Sequence, residues 1–197
     1  MIRRFALPAA FVAAALLTML PRGAAAQSAQ AVISSLGNEA IQVLGPGVPE
    51  AQRLARFREL FRDDFDLPEI GRFVLGRYWR TASPDEQQEF LRLFQEYIVR
   101  AYSARLGQYA GEPFRVLGAR PDNGETVVTS QIVQQNGQPI SVDWYLLATP
   151  AGYKITDVYV GGVSMAVTER DEFASVIERS GGVAGLLAEL RQKLSAG

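Results

Sequence analysis

The chain has no cysteine and no histidine in its 197 residues. Without imidazole or thiolate it lacks the usual general base near neutral pH, the commonest soft metal ligands and the cysteine nucleophile. Most hydrolase and metalloenzyme mechanisms therefore lose a required part. No catalytic residue is assigned, and neither a metal nor another cofactor is expected. No disulfide can brace the fold, so its stability must come from packing. Charge of either sign gives no strong field, with 20 Lys and Arg against 21 Asp and Glu. Such a surface does not grip nucleic acid or an anionic membrane by charge alone. What is plentiful is apolar surface, 48% of the residues, which points to binding rather than chemistry.

The one long apolar run sits at the start. Arg3 and Arg4 precede an apolar stretch from Phe5 to Leu20, and Ala24-Ala25-Ala26 supplies small residues before Gln27. This is the pattern of an export signal over residues 1–26, cleaved after Ala26. The run is short for a membrane span and is interrupted by Pro8 and closed by Pro21. No Cys follows it to carry a lipid. The remaining chain, 27–197, is long enough for a single domain with its own core. Removing Arg3, Arg4 and Arg22 leaves 17 basic against 21 acidic residues, a net charge near -4. A soluble, monomeric protein of the bacterial periplasm is expected.

Apolar residues recur at helical spacing from Ala29 to Leu44, and again in a helix that Pro49 opens from its first helical position, through Leu54, Phe57, Leu60 and Phe61, with arginines on the remaining faces. Asp66 is a candidate cap for a short helix through Ile70, Phe73 and Leu75. Ser83-Pro84-Asp85-Glu86 is a capping box with Pro at the first helical position, so a long helix begins there. Its stripe comprises Phe90, Leu91, Phe94, Tyr97, Ile98, Tyr102 and Leu106. After Gly111 the period changes to that of four strands, about 114–119, 125–135, 139–149 and 153–160. Asn123-Gly124, Asn136-Gly137 and Pro150-Ala151-Gly152 separate them as turns. In the third strand, Ile140, Val142, Trp144 and Leu146 alternate with Ser141, Asp143, Tyr145 and Leu147. Ser164 caps a further helix, and a last one carries Leu186, Leu187, Leu190 and Leu194. The expected architecture is α+β: a curled antiparallel sheet of at least four strands, packed with N-terminal and C-terminal helices into a cone.

Several motifs share one order and spacing with a known family. They are Phe65-Asp66, Leu75-Gly76-Arg77-Tyr78-Trp79-Arg80, Ser83-Pro84 with Glu89-Phe90 and Phe94, and Tyr109 with Gly111-Glu112. Val142-Asp143-Trp144, Lys154 with Asp157-Val158, Gly162-Val163-Ser164, Arg170, Phe173, Leu190 and Lys193 follow. Together they resemble the MlaC family of periplasmic phospholipid shuttles, also known as toluene-tolerance or auxiliary transport proteins, over nearly the whole chain past residue 26. The resemblance implies a cone like that of nuclear-transport-factor proteins, with acyl chains in an apolar pocket. It also implies two partners, an outer-membrane lipoprotein or porin complex and an inner-membrane ABC transporter with a lipid-binding domain. Where many members carry Asn-Tyr-Arg after Gly-Val-Ser, this chain has Thr168-Glu169-Arg170. A neighbouring branch associated with hopanoid transport looks similar in this tail.

A carrier must hide both chains of a diacyl phospholipid from water, on the order of 25 kcal/mol at ~0.8 kcal/mol per methylene. Only a deep pocket does that. Its expected walls are Ile140, Val142, Trp144 and Leu146 on one strand, with Ile155 and Tyr159 on the next. Phe73, Leu75, Tyr78, Trp79, Phe94, Tyr97, Ile98 and Tyr102 from the helices, together with Val163, are expected to close it. Arg77 and Arg80 suit either a lipid phosphate or an ion pair with Asp64, Asp66 or Glu69. Asp157 is expected to be a hydrogen-bonded structural carboxylate. The rival reading is an isomerase-like enzyme in the cone, with Asp157 beside Tyr159, or Asp143 beside Tyr145, as acid-base pair.

Overall fold

The computed structural model describes residues 28–44, 47–106, 112–134 and 136–196. The leader read over residues 1–26 lies outside them, as do Gly107, Tyr109 and Gly111. Helix α1 (Ala29–Leu44) is followed by α2 (Glu50–Asp64). Pro49 stands one position earlier than the sequence suggests, capping α2 with φ -57° rather than opening it from within. Helix α3 (Leu67–Leu75) starts where the Asp66 carboxylate accepts the Glu69 N–H at 3.2 Å. A short 3-10 turn, Gly76–Arg80, follows. Gly76 has φ +57°, and a Cβ there would stand 3.0 Å from Arg170 Nε, so both conformation and space call for glycine.

The capping box forms as read. The Ser83 hydroxyl accepts the Glu86 N–H at 3.2 Å, and Glu86 Oε2 accepts the Ser83 N–H at 2.8 Å, which opens α4 (Pro84–Leu106). The sheet is antiparallel in the order β1 (Phe114–Asp122), β2 (Glu125–Val133), β3 (Pro139–Thr149), β4 (Gly152–Val160) and β5 (Val163–Ser164). Asn123 and Gly124 both take positive φ, 46° and 89°, the geometry of a tight two-residue hairpin turn. Helix α5 (Met165–Ser180) grows from Ser164, whose hydroxyl accepts the Val167 N–H at 3.0 Å, and ends on left-handed Gly181. Helix α6 (Val183–Ser195) closes the described chain. The protein is thus α+β, with the sheet between N-terminal and C-terminal helices.

Two apolar clusters hold these elements together. In the helical cluster Phe90 stacks on Phe94 at 5.6 Å, and Phe173 of α5 meets the two rings edge-on at 5.9 and 6.0 Å. Leu186, Leu187 and Leu190 of α6 complete it. In the other cluster Ile33 and Leu36 of α1 and Leu60 of α2 seat on Val128, Leu146 and Ile155 of the sheet. A bulge marks β4: Leu146 pairs with Ile155 but Tyr145 pairs with Asp157, so Thr156 is an extra residue. The alternation of β4 therefore changes phase, and Ile155 and Val158 share the inner face despite their odd spacing.

Helices α2 and α4 are clipped by two parallel hydrogen bonds of 2.8 Å from Arg58 Nε and Nη2 to the Glu96 carboxylate. The Arg58 hydrogen bond holds Glu96 below the usual carboxylate range.

Two measurements follow from this packing. Phe90 is fully buried, so Phe90→Ala lowers the unfolding free energy by about 3–5 kcal/mol in urea titration. A loss below about 1 kcal/mol would contradict its central placement. For the clip, the folded carboxylate titrates lower than the unfolded one. Its contribution is complete above the ordinary carboxylate range and disappears as pH falls through the depressed folded value. Glu96→Gln therefore lowers the unfolding free energy at neutral pH, by no more than about 1 kcal/mol for so exposed a pair. The gap from the parent protein closes in acid, and a gap of constant size down to about pH 3 argues against the clip.

Candidate functional site

The inner face of the sheet is covered by helices at one end only. Between the rest of it and the helices lies a cavity of about 660 Å³, within the size range of pockets that bury a drug-sized ligand. Its floor is Ile132 of β2, Ile140, Val142 and Trp144 of β3, and Val158 and Val160 of β4. These positions face one side because β2, β3 and β4 pair in register: Ile132 opposite Ile140, Trp144 opposite Val158, Val142 opposite Val160. The roof is Phe94, Ile98 and Tyr102 of α4, one turn apart, with Phe57 and Phe61 of α2, Phe65 and Ile70. Met165, Ala166 and Glu169 of α5 close the side.

The polar groups in this wall are tied into it. The Trp144 indole N–H donates to the Ser130 hydroxyl at 2.8 Å, which donates in turn to the Val142 carbonyl at 3.3 Å. Asp157 Oδ1 accepts the N–H groups of Val158 and Ala166 at 2.7 and 3.1 Å, and Oδ2 accepts the Ser164 hydroxyl. This carboxylate sits at the start of α5, where the helix dipole favours negative charge. Thr156 donates to Glu125 and the Tyr145 carbonyl. The Tyr102 hydroxyl donates to the buried Glu169 carboxylate at 3.2 Å. What is left facing the space is hydrocarbon and aromatic ring. Among the described residues no group of His, Cys, Asp and Glu could hold a metal ion.

Of the fifteen residues expected to form the walls, the cavity brings together Phe94, Ile98, Tyr102, Ile140, Val142 and Trp144. The other nine lie elsewhere. Leu75 is buried in the helical cluster, and Tyr78 and Trp79 pack at its edge. Phe73 is on the exposed side of α3, beneath the Arg170 guanidinium at 5.1 Å. Tyr97 turns one position around α4, onto Phe173 at 5.5 Å and Lys193 at 5.3 Å. Leu146 and Ile155 are on the inner face, but under α1 and α2 where no space is left. Tyr159 is carried to the outer face by the β4 bulge and packs at a tilt against Tyr145, with ring centroids 4.7 Å apart. Val163, in the two-residue β5, is exposed to solvent.

The cavity also uses residues that the sequence reading passed over. Phe57, Phe61 and Phe65 follow one another at four-residue steps, with ring centroids 6.2 and 4.7 Å apart. The four-residue spacing of Phe57 and Phe61 marks the apolar side of α2, but spacing alone does not say that this side meets a cavity. Ile132 was equally accessible through its alternation with Val128 and Ser130.

Arg77 pairs with Glu178 of α5 at 2.7 Å, not with Asp64, Asp66 or Glu69, and neither Arg77 nor Arg80 lines the cavity. Of the residues in the enzyme reading, Asp157 lines the cavity, while Tyr159, Asp143 and Tyr145 do not. Tyr145 and Tyr159 pack against each other away from the cavity, and Asp143 accepts the Thr129 hydroxyl at 2.6 Å on that same outer face.

Comparison with known proteins agrees with this geometry. A solved phospholipid-binding protein from Ralstonia solanacearum, in complex with a phospholipid, superposes with a TM-score of 0.73 at 25% identity. The match covers 86% of this chain and 98% of that one. The toluene tolerance protein ttg2D of Pseudomonas putida is 27% identical over 125 residues, 59% of this chain and 58% of that protein. The intermembrane phospholipid transport system binding protein MlaC of Haemophilus influenzae is 24% identical over 147 residues, 70% of this chain and 68% of that protein. The matched segment thus spans between half and about two thirds of these relatives. The family model described as MlaC protein matches residues 28–192, and the chain belongs to the MlaC family.

Proposed function

We propose that this chain is a periplasmic lipid carrier. Its cavity takes phospholipid acyl chains, and the protein ferries the lipid between an outer-membrane lipoprotein complex and an inner-membrane ABC transporter with a lipid-binding domain. The observation that carries the reading is an apolar cavity of about 660 Å³ whose wall polar groups are bonded within the wall. Such a space has nothing to offer a polar solute and much to offer a hydrocarbon chain. The phospholipid held by the Ralstonia solanacearum protein, which shares the fold, supports the same cargo class.

On this reading Phe94, Ile98, Tyr102, Ile140, Val142 and Trp144 touch the acyl chains, with Phe57, Phe61 and Phe65 above them. The head group stays at the open end, because none of the arginines and lysines of the described chain lines the interior to receive a phosphate. Residues 1–26 serve as the export leader, and 27–197 act as one lipid-binding domain. Among the described residues no helix is long and apolar enough to cross a membrane.

Organic-solvent extraction of the purified protein, followed by mass spectrometry, is expected to yield phospholipid in near-stoichiometric amount. Ile140→Glu and Trp144→Glu each place a charge in the floor at a cost of several kcal/mol to any hydrocarbon beside it. Both lose most of the bound lipid while circular dichroism reports an intact fold. Leu117→Glu, on an exposed side chain remote from the cavity, keeps it. An extract without lipid, or full retention in both floor variants, defeats the proposal.

A further inference from the structure

Helix α2 carries four arginines, and three of them are paired. Arg56 meets Glu59, Arg58 meets Glu96 and Arg62 meets Asp63, each at 2.8 Å. Arg53 has no carboxylate partner among the described residues, which include every Asp and Glu of the chain. Its one hydrogen bond among them runs from Nη1 to the Val48 carbonyl at 2.7 Å. Its Nε–H is buried and meets no acceptor there. A buried donor without an acceptor is destabilising, more so on a charged group, and the position calls for an anion from outside the chain.

The place of Arg53 says which anion. Phe65, Phe61 and Phe57 step along the cavity roof at four-residue intervals, and Arg53 is the next position on the same side of α2. Phe65 bridges to Ile155, at the end of the sheet that α1 and α2 close. The series therefore runs away from the closed end, and Arg53 stands one turn, about 6 Å, beyond Phe57. Helical side chains lean toward the helix N-terminus, and the bond to Val48, in the turn before α2, shows this lean. The guanidinium is thus at the rim of the open end. Resting on the carrier reading, we propose that Arg53 receives the phosphate of the bound lipid.

With Nη1 held by Val48, the edge left to a ligand is Nε with Nη2. Those are the two nitrogens with which Arg58 grips the Glu96 carboxylate by parallel bonds. The same edge suits two oxygens on one phosphorus. Shielding from water at Nε strengthens an ionic bond made there. The exposed Glu50 of the same turn opposes a free anion held by charge alone. A phosphate tethered to chains in the cavity is instead presented to the guanidinium at high effective concentration. The turn thus favours the phosphate of a lipid over phosphate in solution.

The test compares phosphatidylglycerol with diacylglycerol of the same chains, which lacks the phosphate, as each displaces a fluorescent phospholipid from the delipidated protein. The parent should hold phosphatidylglycerol about tenfold more tightly than diacylglycerol. Arg53→Gln should bring the two within about twofold by weakening phosphatidylglycerol alone, and Arg53→Lys should keep part of the difference. An equal concentration of inorganic phosphate should leave the parent's preference unchanged. A parent without the preference overturns the proposal. So does a Gln variant that keeps it, or one that loses both lipids equally, which makes Arg53 a brace for the turn at Val48. Loss of the preference in inorganic phosphate overturns it too, because the site then belongs to free anions. Should Arg53→Gln fail to fold, Arg53→Met, which keeps the apolar stem, is read in the same way. A parent that binds neither lipid defeats the carrier reading instead.

Discussion

The structure depends on incomplete coverage of one apolar surface. The inner face of the sheet carries Ile132, Ile140, Val142, Trp144, Leu146, Ile155, Val158 and Val160, and a protein of this size would ordinarily press helices against all of it. Here α1 and α2 fill the end at Leu146 and Ile155, while α4 stands off from the end at Ile140 and Val142. The second cluster, in which Phe90, Phe94 and Phe173 interlock with α6, lets α4 find its packing partners on the side away from the sheet. A helix satisfied from behind need not collapse onto the strands in front of it, and the gap survives as a cavity.

Much of this was legible where local chemistry decides structure. The capping box at Ser83, the Asp66 and Ser164 caps and the Asn123-Gly124 turn rely on neighbours within four residues, so helix starts and hairpins could be read directly. The α+β architecture follows from the change of period near residue 112. The cavity wall was legible only in part, for three separate reasons. The apolar stripe of α4 is broad because several elements pack against it, so it does not say that Phe94, Ile98 and Tyr102 face the space while Phe90 and Tyr97 face α5 and α6. In β4 the extra residue Thr156 inverts the alternation, and a two-residue period carried across it sends Tyr159 to the wrong face. The phenylalanines of α2 had the right spacing, but nothing local distinguishes a ring that seals a cavity from one that fills a core.

The outer face of the sheet explains why the same sequence invites an enzymatic reading. Asp143, Tyr145 and Tyr159 have the composition of an acid-base site, but they cluster among Thr129 and Arg120 on the far side of the strands from the cavity. Their hydrogen bonds and ring packing stabilise that face of the sheet. The polar and aromatic pairs brace the outer face, and the interior of this MlaC-family chain is left apolar.

Asp157 gives that division a mechanical side. One carboxylate holds together a strand that floors the chamber, the hydroxyl of the residue that starts α5, and the amide of Ala166 in the chamber wall. Both of its oxygens are occupied, so there is little slack in the joint. Strand β4, the turn after it and the start of α5 are thereby pinned to one another through a single side chain.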